Sequence, residues 1–303
     1  MKLLVTGGAG FIGSNFINFM LNKYEDIQII CLDLLTYAGN IENVRHHLNK
    51  KNFIFVKGDI NDLKLLDDLF QTYHYETIIN FAAETHVDNA IINSEKFIHS
   101  NINGVFTLLE ITRKYDLYLH QISTDEVYGG KSIEDNSICD INSPLKPTNP
   151  YAASKASADL LVLSYMSTYK IRATISRSSN NYGKNQNFEK FIPHSISLLK
   201  RNLPIEIYGE GKEKRDYIPV EFHIYCIDKI INNFNNGQVI YNICSEKEYS
   251  SLEVANKILS LYNFPKNFIK FIPNRLGHDG HYPMKSDFSY QKYLYNIGNK
   301  VNL

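Results

Sequence analysis

Tryptophan is absent from this 303-residue chain, and neither sign of charge is in excess, with 32 Lys and Arg against 32 Asp and Glu. Without net charge no global field draws the chain to nucleic acid or to an anionic membrane. An anionic ligand must be held by local Arg, Lys and backbone N–H groups. Long hydrophobic runs are missing too, since none approaches the roughly 20 apolar residues that span a bilayer. The opening MKLLVTGGAGFIG briefly imitates a signal peptide, but glycines interrupt it at once and it reads as a buried strand and turn. Cysteine is scarce and scattered (Cys31, Cys139, Cys226 and Cys244), with no Cys-x-x-Cys spacing. That excludes a disulfide framework and a structural zinc site, and fits a reduced, cytoplasmic compartment. His86 has no second ligand at a convincing spacing, so a hydrogen-bonded structural role is expected for it, and no metal. The 21 Tyr and 17 Phe lack a basic stripe and read as core and interface residues rather than base-stacking platforms.

What is present is a 44% share of hydrophobic residues, which argues against extended disorder and suffices for one large or two modest domains. Short apolar runs at Lys2–Thr6, Ile27–Asp33, Asn52–Lys57, Thr77–Ala83, Tyr118–Ser123 and Ala173–Arg177 read as strands. Helical patterns alternate with them, from the glycine turn to about Lys23, over Asn101–Tyr115 and over Tyr151–Tyr169. Such alternation predicts an α/β fold, a Rossmann-type doubly wound parallel sheet whose ligand crevice lies at the carboxyl ends of the strands. After about Arg177 the pattern loosens into short runs such as Ile205–Tyr208 and Val239–Ile243. We therefore expect a cofactor domain over 1–177 and a smaller α/β substrate lobe over 178–303, with some segments free to return to the first. Gln186–Phe191 and Asn274–Tyr282 are the loop-like candidates for ligand contact.

Three motifs sit at strand ends. Glycines at Gly7, Gly10 and Gly13 follow a strand and open a helix, which lets the backbone approach a pyrophosphate at a helix N-terminus. Asp33 follows about 20 residues on, where a carboxylate accepts from a ribose 2′-OH and repels a 2′-phosphate, favouring NAD over NADP. Tyr151 and Lys155 lie four apart on one helix face, where a cationic Lys is expected to lower the phenol pKa. A lone Tyr-x-x-x-Lys match is common by chance, and its place after Pro150 on the helix following the Ser123 strand selects the functional reading. Thr124-Asp125-Glu126 closes that strand. Adjacent acids there usually cap a loop, but next to Tyr151 they can part into an acid and a base. Oxidation by the pair and elimination by the acids point to water loss through a transient oxidation.

These residues resemble the extended short-chain dehydrogenase/reductases, and within them the nucleoside-diphosphate-glucose 4,6-dehydratases. The resemblance runs over almost the whole chain through LVTGGAGFIGSN, LDLLTYAGN, AAETHVD, ISTDEVYG, NPYAASKASAD, SNNYG, EKFIP, IYGEGKEKRDY and RLGHD, of which ISTDEVYG is the specific part. It implies that Tyr151, with Lys155 and Thr124, takes the C4 hydroxyl proton as NAD takes the hydride, that Glu126 removes the C5 proton, and that Asp125 protonates the departing C6 oxygen. It implies cofactor contacts from Gly7, Gly10, Phe11, Ile12, Gly13, Asp33, Leu34, Leu35, Thr36, Asp59, Ile60, Phe81, Ala82, Ala83, Ser100, Tyr151, Lys155 and Asn181. Contacts to the nucleotide sugar are implied for Thr85, Thr124, Asn180, Lys190, Phe191, Ile207, Tyr208, Arg215, Asn242, Arg275 and His278. The implied substrate is dTDP-glucose, with UDP-glucose second, and the implied assembly is a homodimer through the helices around Asn101–Tyr115 and Tyr151–Tyr169.

The chain departs from that pattern at Leu34, where Lys is frequent, at Asn80, where His is frequent, at Lys184–Phe188, around Arg275, at Gly280-His281 and in a short C-terminus, expected to lack the last helix. Most of these bear on nucleotide identity rather than on the acids. Two other readings compete: a sugar-nucleotide C4 epimerase, which needs Tyr151 and Lys155 but not Asp125 and Glu126, and a non-catalytic NAD-binding regulator.

Overall fold

The computed structural model describes residues 1–274 and 279–296. Its strands are β1 (Lys2–Thr6), β2 (Gln28–Asp33), β3 (Phe53–Lys57), β4 (Thr77–Asn80), β5 (Tyr118–Thr124), β6 (Arg172–Ser178), β7 (Asn180–Tyr182), β8 (Ile205–Tyr208), β9 (Lys214–Pro219), β10 (Ile240–Ile243), β11 (Glu248–Ser250) and β12 (Ile269–Ile272). The α-helices are α1 (Phe11–Lys23), α2 (Leu63–Tyr73), α3 (Val87–Ile92), α4 (Glu95–Phe97), α5 (Gly104–Lys114), α6 (Pro150–Tyr169), α7 (Phe191–Lys200), α8 (Val220–Asn232), α9 (Ser251–Leu261) and α10 (Tyr290–Asn296).

Seven strands form one parallel sheet in the order β10-β6-β5-β4-β1-β2-β3. Parallel strands covered on both faces read as near-continuous apolar runs, and β5, buried at all 7 positions, is the extreme case. Leu66, Leu108, Leu109 and Val162 from α2, α5 and α6 pack on one face. Phe16, Ile17, Met20, Ile224 and Ile227 from α1 and α8 pack on the other. The doubly wound sheet expected from the alternation is therefore present. Its order reverses between β1 and β4, which opens a crevice where Thr6, Asn80 and Thr124 end their strands.

A smaller lobe holds the sheets β11-β9-β7 and β12-β8 with α7 and α9, around Ile205, Ile207, Val254 and Leu259. The segment 220–243 leaves that lobe: α8 packs on α1, and β10 pairs with β6 through Ile240↔Ile175 and Asn242↔Arg177. Most element ends fall within about one residue of the expectation, and the end of β4 and the start of α5 differ by more. β4 stops at Asn80 rather than Ala83, because Phe81, Ala82 and Ala83 leave the sheet to line the crevice. The helix expected from Asn101 takes regular α form only at Gly104, after a π-helical stretch over Ile98–Asn103.

Candidate active site

The crevice holds two joined cavities of about 880 Å³ and about 640 Å³ that share Gly7, Gly10, Ala38, Phe81 and Ala83. The first is built by the glycine turn. Gly7 takes φ +65°, and a Cβ there would lie 2.5 Å from the Ala82 nitrogen. A Cβ at Gly10 would meet only the Gly7 carbonyl at 3.2 Å and would otherwise project into the cleft. No side chain caps α1 behind Gly10, so its first amides stay available at the positive end of the helix. At the end of β2, Asp33 accepts from the Ala9 amide (2.9 Å) and the Leu35 amide (2.8 Å), and burial raises its pKa above the ordinary carboxylate value. Beyond it, Asp59, Ile60 and Ser100 line the same cavity.

The second cavity is centred on the carboxyl end of β5. Thr124 donates to Asp125 Oδ1 at 3.0 Å, and its hydroxyl also meets the Tyr151 phenol. Asp125 is buried, and its pKa is pushed up to about 8 by loss of solvent first and by the Glu126 charge second, against the Thr124 hydrogen bond. It therefore keeps its proton at neutral pH. Glu126, one residue on and less buried, accepts from Asn149 Nδ2 at 3.0 Å. Two neighbouring carboxyls thus sit in unlike surroundings, Asp125 buried beside the Thr124 hydroxyl and Glu126 less buried beside the Asn149 amide.

α6 carries Tyr151 and Lys155 into the same cavity. The sequence sets this helix firmly: Asn149 caps it by accepting from the Ala152 amide at 2.8 Å, and Pro150 occupies its first turn, where a missing N–H costs nothing. The expected lowering of the phenol is absent. Burial and the Glu126 charge raise Tyr151 instead, and Lys155 Nζ donates to the Ile122 carbonyl at 2.6 Å. Burial lowers Lys155 itself to about 8. The Ile122 carbonyl also accepts from Gln121 Nε2 (3.0 Å), and behind it Thr6 donates to Asn80 (2.6 Å) and Asn80 to Gln121 (2.7 Å). A buried amide ladder across β1, β4 and β5 therefore ends on the atom that holds Lys155.

The far wall comes from the smaller lobe. Arg215 donates to the carbonyls of Lys214 (2.7 Å), Asp279 (3.1 Å) and Gly280 (3.1 Å) and lies 4.7 Å over the Tyr282 ring. Lys190 donates to the Thr85 carbonyl at 3.1 Å. Asn181 is fixed by His223, whose Nδ1 lies 3.0 Å from Asn181 Oδ1 and which burial keeps neutral, with a pKa of about 3.

A family model described as GDP-mannose 4,6 dehydratase matches residues 4–264. The chain belongs to that family. A low-salt glycan biosynthesis protein of Haloferax volcanii is 43% identical over 287 residues, covering 93% of this chain and 89% of that protein. A dTDP-glucose 4,6-dehydratase of Mycobacterium tuberculosis is 39% identical over 292 residues, covering 96% and 87%. The crystal structure of dTDP-glucose 4,6-dehydratase from Bacillus anthracis, solved in complex with NAD, superposes with a TM-score of 0.86 at 38% identity, covering 98% of this chain and 90% of that one.

The family's cleft gathers most of the residues singled out in the sequence. Gly7, Gly10, Phe11, Ile12, Gly13, Asp33, Leu34, Thr36, Asp59, Ile60, Phe81, Ala82, Ala83, Ser100, Tyr151, Lys155 and Asn181 line its two cavities, as do Thr85, Thr124, Asp125, Glu126, Asn180, Lys190, Phe191, Tyr208 and Arg215. Three do not. Leu35 packs into the core beside α1, and only its backbone reaches Asp33. Ile207 alternates inward on β8 and is 1% exposed, while its neighbour Tyr208 faces the cleft. Asn242 is fully buried on β10, where Oδ1 accepts from the Tyr128 hydroxyl at 2.8 Å. Arg275 and His278 lie outside the described residues. His86 caps α3 by accepting from the Asn89 amide, the structural role expected. Residues passed over in the sequence are Glu206 and Glu213, which line the smaller-lobe side, and Asn149, which the Asn-Pro start of a helix could have signalled.

Proposed function

We propose that this chain is an NAD-retaining nucleoside-diphosphate-glucose 4,6-dehydratase that converts its substrate to the 4-keto-6-deoxy sugar nucleotide. One observation carries the reading: a proton-holding Asp125 and a hydrogen-bonded Glu126 lie side by side, next to Tyr151. An epimerase needs no such split pair.

The larger cavity fits a dinucleotide. Gly10 leaves open the space a Cβ would fill, the start of α1 is uncapped by any side chain, and Asp33 ends β2 where a ribose hydroxyl would bond. Gly7–Gly13, Asp33, Asp59, Ile60, Ser100 and Asn181 would hold it. When bound there, NAD would supply the hydride chemistry at C4 and C6. Tyr151 takes the C4 hydroxyl proton, with Thr124 at its oxygen and the Lys155 charge close by. With a ketone at C4, Glu126 removes the acidified C5 proton. Asp125 gives its proton to the C6 oxygen, which leaves as water. Arg215 and Lys190 supply cations for the diphosphate.

The nucleotide we assign first is dTDP, supported by the Mycobacterium and Bacillus relatives. The large sheet would serve the cofactor and the smaller lobe the nucleotide sugar, feeding deoxysugar synthesis such as that of rhamnose. A homodimer is the proposed assembly, supported by Phe106 (48% exposed) and Leu160 (56% exposed) on the adjoining α5 and α6. A cytoplasmic location is supported by four cysteines, all free and buried. No described helix is long and apolar enough to cross a membrane.

The test is incubation of the purified protein with dTDP-glucose and with UDP-glucose, reading products by mass and NMR. A product lighter by one water, with C4 carbonyl hydrate and C6 methyl signals, is the expected result. A galactose-configured product of unchanged mass would sink the dehydratase reading in favour of the epimerase.

A further inference from the structure

We propose that Asn149 is a positioning residue for Glu126, tying the C5 base to the helix that carries Tyr151. The inference rests on the reading of Glu126 as that base. Asn149 is 6% exposed and makes two side-chain hydrogen bonds of opposite sense. Oδ1 accepts from the Ala152 amide at 2.8 Å, and Nδ2 donates to Glu126 Oε2 at 3.0 Å. The orientation of the amide is determined by these partners. A flip would set Nδ2 against an N–H and Oδ1 against a carboxylate, placing donor on donor and acceptor on acceptor.

The residue type follows from the same pair of bonds. Capping alone is open to Asp, Ser or Thr as well as Asn. Asp would turn a second acceptor toward the Glu126 carboxylate. A Ser hydroxyl engaged by the Ala152 amide is too short to reach Glu126 as well. Ser and Thr also accept and donate, but through one oxygen, whereas Asn accepts and donates through two atoms held apart on its amide. Oε2 of Glu126 is thereby occupied, while Oε1 accepts no hydrogen bond from the described residues. Asn149 thereby fixes the orientation of the carboxylate that takes the proton at C5. Its backbone continues directly through Pro150 into Tyr151, so the groups acting at C4 and at C5 share one mount. Thr124 does the corresponding service for Asp125, donating to Oδ1 at 3.0 Å.

The test uses Asn149→Ser and Asn149→Asp, both of which keep a capping oxygen, in the holoenzyme with dTDP-glucose or UDP-glucose, whichever is turned over. Single-turnover absorbance of the reduced nicotinamide separates two events: its appearance reports oxidation at C4 by Tyr151, and its decay reports C5 deprotonation and the steps that follow it. A misplaced base costs about tenfold to a hundredfold. We expect appearance at the wild-type rate, decay slowed by about that factor, and KM changed little. Exchange of the C5 hydrogen of the 4-keto-6-deoxy product with deuterated solvent should slow in parallel. If appearance itself slows equally, Asn149 acts only as the cap of α6 and the proposal fails. Decay and exchange within about twofold of wild type would also overturn it. A wild-type chain that neither loses water nor exchanges C5 would instead fell the dehydratase reading, and this inference with it. Thermal midpoints of both variants, with the Asp variant as the better cap, show whether either has lost its fold.

Discussion

At the scale of single residues, the site is governed by the unlike surroundings of two adjacent carboxyls. Burial favours the protonated form of Asp125, which is 3% exposed, and the Glu126 charge beside it acts in the same direction. If Asp125 donates the proton to the C6 oxygen, activity needs its acid form and falls as pH rises through about 8. Lys155 loses its charge over the same range. The basic limb of kcat should therefore be steeper than a single ionisation. Asp125→Asn should lower kcat by about 10²–10⁴-fold with little change in KM, and leave a shallower limb due to Lys155 alone. Stopped assays across pH 6–10, roughly two units either side of the shifted value, check this. A variant with the full wild-type rate and the same limb would remove Asp125 from the acid role. The Asp-Glu pair was legible in the sequence because both residues are adjacent and end a strand. The raised Tyr151 was not, because spacing on a helix puts Lys155 near the phenol but says nothing of the Ile122 carbonyl that captures the ammonium.

At the scale of elements, the strands were legible because each buried parallel strand is an apolar run ended by Gly, Asn, Asp or Thr. Their last residues were less so: Phe81, Ala82 and Ala83 are as apolar as β4 and yet line the cleft, since leaving the sheet is decided by what lies beyond it. The π-helical turn before α5 has no composition of its own. Nor does the ladder of Thr6, Asn80 and Gln121, whose members are distant in sequence and meet only through the register Thr6↔Asn80↔Gln121. Asn80 accepts from one neighbour and donates to the next, so its removal orphans two buried groups. Each such group costs about 1–3 kcal/mol. Asn80→Leu should accordingly lose about 2–6 kcal/mol in urea unfolding. A loss under about 0.5 kcal/mol, the range of ordinary surface changes, would show that the ladder holds nothing together.

At the scale of the whole molecule, the return of 220–243 to the large sheet is the step least visible in the chain. β10 is a short apolar run like those of the smaller lobe, and only its pairing with β6, more than 60 residues earlier, distinguishes it. The outward faces of α5 and α6 pose the opposite problem: among the described residues none covers Phe106 or Leu160. Phe106 and Leu160 lie on helices that pack against each other, leaving large apolar side chains in water beside polar neighbours such as Glu110 and Ser164. Burying both pairs across a two-fold axis repeats each contact twice, so a change at one position is felt at two places in the assembly. If this is the dimer surface, Phe106→Glu combined with Leu160→Glu sets four carboxylates against one another where apolar contacts stood. Each costs more than the lost burial alone, because an unpaired charge must be desolvated. The doubly substituted chain should sediment as a monomer at concentrations where the parent is a dimer, while its far-ultraviolet circular dichroism stays unchanged, since neither side chain belongs to the core. A parent that is itself monomeric, or a double variant that remains dimeric, would move the assembly surface elsewhere.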